Sequence, residues 1–226
     1  MHTSSTIQLM HGASMKTAPL LKELITPYLP KHPVILEAGA HIGRDTVKMI
    51  KLWPEATIHA FEPVSALYQK LVDNTALFPS VSTYQIALSD KNGSETFYVS
   101  SGASTAVSSL YEPQEYLVDR PNVFFTQTTI PTVALDSWAA QHGVDYIDFM
   151  WLDMQGAELK VLTASKSIFP TVKILVLEVN LTERFKEIPL LDEVFHFMEN
   201  QGFTIVQKDE PKHNKQNLLC IRTFRA

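Results

Sequence analysis

Short apolar runs that alternate with helical stretches constrain the fold of this chain more than any other feature. Val34–Glu37 follows Pro33, closes on Gly39 and reads as a strand. Arg44–Leu52 has helical spacing and stops before Pro54. Thr57–Phe61 reads as a second strand, Ser65–Thr75 as a second helix and Val81–Ala87 as a third strand. A β-α-β-α-β order calls for a parallel sheet with right-handed crossovers. The pattern resumes at Ile147–Leu152, a nearly continuous apolar run of the kind found in a strand buried on both faces. Gly156–Ala164 is helical, Val172–Val179 a strand, and Leu190–Gln201 a helix stopped at Gly202. The polar connection between Phe203–Gln207 and Leu218–Phe224 is too short for a crossover helix, so these last strands form an antiparallel hairpin.

The segment between the two halves is less regular. Asp90-Lys91-Asn92-Gly93 signals a turn, Glu95–Val99 a strand, and Ser100–Ser109 a loop. Val123–Ile130 alternates like an edge strand, and Asp136–His142 is a short helix ended by Gly143. Ala18–Tyr28 reads as an appended helix, giving an N-terminal extension over 1–30 and one domain over 31–226. The length, 226 residues, suits a single large α/β domain. A net charge of −5 without a basic stripe argues against a nucleic-acid backbone as the main partner. No apolar run approaches a membrane span, and Met1–Gly12 has no signal-peptide core, so the expectation is a cytoplasmic protein without membrane contact. The single cysteine, Cys220, cannot form an intrachain disulfide and reads as a buried thiol on a late strand.

In open α/β sheets, ligands bind beyond the carboxyl ends of the strands, near the switch in strand order. Here those ends are polar or glycine-rich. The first strand runs into Glu37-Ala38-Gly39-Ala40-His41-Ile42-Gly43. Gly39 allows a sharp turn and a close approach to a ligand, and Gly43 lets the helix start near the sheet. The dinucleotide pattern G-x-G-x-x-G is not met, because its remaining glycines would fall at His41 and Arg44. A smaller adenosyl ligand therefore suits the turn better than a pyrophosphate. The second strand ends at Glu62, followed by Pro63, where a carboxylate accepts hydrogen bonds from ribose hydroxyls. Being at a strand end, Glu62 is expected to matter little for stability. Ala87, Ser89 and Asp90 close the third strand, where they would flank an adenine. The fourth ends at Asp153 and Met154, the fifth near Glu178 and Asn180. A carboxylate at the mouth of an apolar sheet is costly unless it is paired or used; Asp153 also suits a helix cap.

These segments together resemble the FkbM-type family of S-adenosylmethionine-dependent methyltransferases over residues 34–208. The resemblance rests on ILEAGAHIG (35–43), AFEP (60–63), ALSDKNG (87–93), the loop around 103–110, VALDSW (133–138) and, most specifically, IDFMWLDMQGAELKVL (147–162). It implies a class I methyltransferase, Rossmann-like doubly wound sheet, mostly parallel with an antiparallel C-terminal hairpin. It implies O-methylation of a hydroxyl on a sugar, polyketide or related metabolite, with S-adenosyl-L-methionine as donor. Glu37, Gly39, Ala40, His41 and Gly43 would face the donor's methionine end. Glu62 would hold the ribose, and Ala87 with Ser89 or Asp90 the adenine. The family commonly has Asp at position 37 and Asn at position 41, so His41 departs from the pattern and brings an imidazole to the turn.

Methyl transfer to a hydroxyl needs the reacting atoms in line and a proton acceptor. The base candidates are Asp153, His41 and Glu178. A metal-assisted alternative would hold Mg²⁺ on Asp153, Glu178 and Asn180. Two other readings stay open: an NAD-dependent oxidoreductase and a catalytically silent adenosyl-ligand-binding protein. The acceptor would be a small hydroxylated molecule in a pocket shaped by Ser100–Asn122 and the segment after Asn180, with Tyr111, Tyr116 and Phe185 as walls. The sequence leaves the oligomeric state open.

Overall fold

The computed structural model describes residues 18–223. Met1–Gly12, and Phe224 at the end of the last predicted strand, lie outside the described residues. Helix α1 (Ala18–Ile25) ends earlier than the spacing suggests, because Pro27 turns Thr26–Tyr28 into a 3-10 segment. Strands and helices then alternate as β1 (Val34–Ala38), α2 (Arg44–Leu52), β2 (Thr57–Phe61), α3 (Ser65–Thr75) and β3 (Val81–Tyr84). After the irregular middle come β7 (Phe149–Leu152), α6 (Glu158–Ala164), β8 (Ile174–Asn180), α7 (Leu191–Asn200), β9 (Phe203–Lys208) and β10 (Lys215–Arg222).

These strands form a seven-stranded sheet of order β3-β2-β1-β7-β8-β10-β9. β1 is parallel to β2 and β7, β2 to β3, and β7 to β8, whereas β10 is antiparallel to both neighbours. The C-terminal hairpin and the doubly wound sheet are thus as the sequence pattern demands. The period-2 side-chain rule places Ile35, Ile58, Phe149, Trp151, Ile174 and Val176 on one buried face. Leu36, Met150, Leu152, Leu175 and Leu177 lie on the other. Ile25 of α1 is buried in the first face beside Met49 and Trp53, so the N-terminal helix shares the core of the sheet. Cys220 is fully buried on β10, and burial pushes its thiol up to about 12.

The irregular middle holds a second sheet. The expected third strand breaks in two: β3 stays in the large sheet, and β4 (Ala87–Ser89) leaves it to pair in parallel with β6 (Val123–Ala134). The other edge of β6 pairs antiparallel with β5 (Gly93–Gly102) along its full length. The β5–β6 connection carries a short helix, α4 (Glu115–Asp119), and α5 (Leu135–His142) follows β6 directly. Among the described residues no helix is long and apolar enough to cross a membrane.

Candidate active site

The strand order switches between β1 and β7, and Ala38 stands opposite Leu152 in that register. The chain therefore leaves the sheet at Gly39 and Asp153 side by side, with the Asp153 amide donating to the Ala38 carbonyl at 2.9 Å. Gly39 has φ +85°, and a Cβ there would stand 2.0 Å from the Asp153 carbonyl oxygen. No side chain fits between these two turns. The amides of Gly39 and Ala40 both donate to the Phe61 carbonyl, at 3.1 and 2.9 Å, which ties the turn to β2. His41 is left-handed at φ +53°, a conformation enriched in Asn, Asp and His. The Asn-to-His departure therefore keeps the backbone requirement. Its ring Nε2 lies 2.9 Å from Thr105 Oγ1 on the β5–β6 connection. Burial first, then Arg44 and Lys70, hold its pKa below the usual imidazole value.

Glu62 latches this turn. It is 5% exposed, and its two oxygens accept the His41 amide at 2.9 Å and the Val64 amide at 2.8 Å. Desolvation pushes its carboxyl up to about 7, against the pull of these two amides. A carboxylate has about four lone-pair sites, so acceptor capacity remains for hydroxyl donors. The expectation that Glu62 matters little to stability is corrected: a strand-end position leaves it buried, with two backbone groups dependent on it.

A cleft of about 570 Å³ opens above these turns. Among the residues marked from sequence, Gly39, His41, Glu62, Pro63, Ala87, Asp153 and Met154 line it. Phe61, Leu67, Ile86, Leu88, Phe97 and Leu110 give it an apolar side, as small-molecule pockets have. Glu37, Ala40, Gly43, Ser89 and Asp90 lie off the cleft. Glu37 is buried and accepts a hydrogen bond from the Thr46 hydroxyl, and burial pushes it up to about 8. Ser89 donates to Glu95 on β5, and Asp90 pairs with Lys160 of α6 at 3.3 Å. Both side chains point away because β4 belongs to the small sheet, where they meet β5 and α6.

A polar chain crosses the ends of β7, β8 and β10. Gln155 is buried and left-handed at φ +56°. Its Nε2 donates to Asp153 Oδ1 and, at 2.9 Å, to Glu178 Oε1, while its Oε1 accepts from Lys215. Lys215 also pairs with Glu178 at 2.7 Å. Glu158 holds the same loop from below: it is buried, accepts the Met154 and Gly156 amides at 2.6 and 2.9 Å, and is pushed up to about 8 by burial. This donor set does not fit Mg²⁺. The Lys215 ammonium already stands against Glu178, and a divalent ion would have to displace it. Asn180 is buried, and its Oδ1 has no partner. Among the described residues no group of three or more His, Cys, Asp or Glu gathers at ligand spacing.

Glu178 lies in a second, larger cleft of about 1350 Å³, together with Tyr116, Arg120, Arg184, Lys212 and Lys215. Of the expected aromatic walls, Tyr116 lines this cleft, while Phe185 is fully buried and Tyr111 packs against its cluster. Sequence reasoning had assigned no role to Gln155, Glu158, Thr105, Lys215 or Arg184. The first two stand in the motif at 153–158, which was the available signal.

A model of the FkbM methyltransferase domain matches residues 37–205. The chain is 28% identical over 165 residues to the 2-O-methyltransferase NoeI of Sinorhizobium fredii, a match covering 70% of this chain and 68% of the relative. It is 30% identical over 172 residues to the methyltransferase sdnD of Sordaria araneosa, covering 63% of this chain and 66% of that one. The fold is similar to that of Aeropyrum pernix fibrillarin solved with natively bound S-adenosyl-L-methionine, with TM-score 0.51 and 13% identity over 90% of this chain and 73% of that one.

Proposed function

This chain belongs to the FkbM methyltransferase domain family, and on that premise we propose that it moves the methyl group of S-adenosylmethionine to a hydroxyl of a small metabolite such as a sugar or polyketide. The observation that carries the reading is the convergence of Gly39, Glu62 and Asp153 on one cleft at the switch in strand order. The fibrillarin that binds this donor has the same fold, and NoeI is a 2-O-methyltransferase; both support the proposal.

The residues fit the donor. The absent Cβ at Gly39 lets its turn pack directly on the Asp153 backbone, so that both turns would border the methionine end. Glu62 keeps acceptor sites for ribose hydroxyls, and Phe61, Ile86, Ala87 and Leu88 offer the purine a dry wall. The donor supplies an electrophilic methyl group; the chain's own task is positioning and proton removal. Asp153 lines the cleft and would accept the acceptor's hydroxyl proton at a carboxylate oxygen. Gln155 orients that carboxylate through Oδ1. Thr105, Ala106 and Leu110, from the β5–β6 connection, would shield the reacting atoms from water.

The test is turnover of radiolabelled S-adenosylmethionine against a panel of hydroxylated sugars and polyketides, alongside calorimetry with S-adenosylhomocysteine and NAD. Tight S-adenosylhomocysteine binding and label transfer to an acceptor oxygen are expected. NAD bound as tightly as the adenosyl ligand would overturn the donor assignment, and label found on nitrogen or carbon would overturn O-methylation.

A further inference from the structure

The two clefts share a wall. Along the β5–β6 connection, Thr105, Ala106 and Ser108 line the donor cleft, while Ser104 and Val107 line the larger one. Gln155 lines the first and bonds to Glu178 and Lys215, which line the second. A molecule in the larger cleft would therefore reach the carboxylates beside the donor.

Arg184 is the unexplained group in that cleft. It is 1% exposed, with its guanidinium carbon 3.8 Å from the Tyr116 ring centre. Its Nη1 donates to the His213 carbonyl at 2.7 Å, but its Nε is buried with no partner. Among the described residues it forms no ion pair. A guanidinium cannot shed its proton, and a buried charge is costly unless an opposite charge meets it. A ring face and one carbonyl do not neutralise it.

Among the described residues no neighbouring carboxylate comes within ion-pair distance of Arg184. Lys215 and Glu178 cancel each other. Arg120 and Lys212 then join Arg184 as cations on this cleft, facing Asp209 and the exposed Glu210. Asp209 is engaged by the Asn217 amide at 3.0 Å. His213, on the same rim, is held below the usual imidazole value by desolvation and then by Arg120, Lys212, Arg184 and Lys215, as expected where the field is positive.

We propose that the larger cleft is the acceptor site and that it selects acceptors carrying an anionic group, a carboxylate or a phosphate monoester, whose charge completes Arg184. The proposal rests on the methyltransferase reading above. The acceptor's anion would lie among Arg184, Arg120 and Lys212, and its hydroxyl toward Gln155 and Asp153.

The experiment has two arms, both with the full chain. In the first, protein saturated with S-adenosylhomocysteine is titrated calorimetrically with inorganic phosphate and with acetate at constant ionic strength. Wild type should bind phosphate, and Arg184→Met should weaken it about 30-fold or more, as for one partner lost from a buried charge pair. The surface variants Arg120→Gln and Lys212→Gln should weaken it several-fold, which keeps the test decisive if Arg184→Met does not fold. In the second arm, label transfer is compared between glucose, glucuronate and glucose 6-phosphate. The anionic members should be preferred, and the preference should fall in Arg184→Met; their ratio separates the carboxylate from the phosphate source. Equal phosphate binding by wild type and all three variants, no phosphate binding by wild type, or a preference for the neutral sugar would overturn the proposal. Failure of S-adenosylhomocysteine to bind would instead overturn the methyltransferase reading, so the two failures are distinguishable.

Discussion

Replacing Glu62 with alanine should weaken donor binding and destabilise the fold together, because one carboxylate serves both. On the stability side, the His41 and Val64 amides lose their acceptors at 2.9 and 2.8 Å. A buried donor left unpaired costs about 1–3 kcal/mol. The cleft lets water reach this corner, so the lower end applies, and the two amides together should cost about 2 kcal/mol. On the binding side, hydrogen bonds to a charged acceptor contribute about 1.5–3 kcal/mol, so S-adenosylhomocysteine should bind roughly ten- to 150-fold more weakly. Urea unfolding and calorimetry measure the two effects separately. Glu62→Gln should fall between: its single carbonyl can serve one amide, while its NH₂ meets the other donor to donor. The carboxyl is pushed up to about 7 by burial. If its anion holds the ribose, donor affinity is lost as pH falls through about 7 in wild type, by up to about tenfold per unit, and stays flat in Glu62→Gln. A folded Glu62→Ala with unchanged donor affinity removes the residue from the donor site. Unchanged urea stability refutes the latch.

Asp153→Asn keeps shape and one acceptor oxygen but removes the anion, so turnover should fall at least about 10²-fold with near-normal S-adenosylhomocysteine affinity; wild-type steady-state rates would reduce Asp153 to a loop residue. Gly39→Ala should lose donor affinity by roughly tenfold or more, since its Cβ would lie 2.0 Å from the Asp153 oxygen; calorimetry on the folded variant decides. Glu37 is pushed from 4.5 up to about 8 by burial, so the native state holds more protons between those values. Its contribution is complete below about pH 4.5 and is lost as pH rises through about 8, at up to about 1.4 kcal/mol per unit. Urea midpoints from pH 6 to 9 should therefore fall less in Glu37→Gln than in wild type, and parallel slopes would contradict this. Cys220, held near 12 by complete burial, should react with iodoacetamide only under unfolding conditions, as followed by mass spectrometry.

The large sheet was legible because its strands are apolar on both faces, so Ile147–Leu152 and Val172–Val179 stand out with no partner in view. The break after Tyr84 was not. Tyr84, Ile86 and Leu88 keep an alternating apolar pattern straight through it, and pattern alone cannot say that a strand changes sheets. The same break turned Ser89 and Asp90 from the cleft to Glu95 and Lys160. β10 begins at Lys215, three residues before the apolar run, because Lys-Gln-Asn carries no hydrophobic signal at the ligand end of a strand. Those residues supply the partner of Glu178, so the error in one boundary hid the ion pair. Arg184 was invisible for a related reason: a lone arginine in a polar segment reads as solvated, and its burial depends on Tyr116, distant in sequence.

The partners also sort the three base candidates. Lys215 can only donate, and the carboxylates of Asp153 and Glu178 can only accept while ionised. Gln155 between them must therefore present its NH₂ to the carboxylates and its oxygen to Lys215; the flipped amide would oppose like groups on every side. Glu178 is thereby held twice, by an ammonium and an amide, and it faces the larger cleft. Taking up a proton would cost it the ion pair. His41 lies in the turn that Glu62 latches, with its ring nitrogen against Thr105, and burial holds it neutral but weakly basic. Asp153 differs from both: it lines the donor cleft and is oriented through one oxygen by an amide whose direction Lys215 fixes. Lys215 thus acts on the proposed chemistry by fixing the direction of one amide, two bonds removed from the carboxylate that would take the proton.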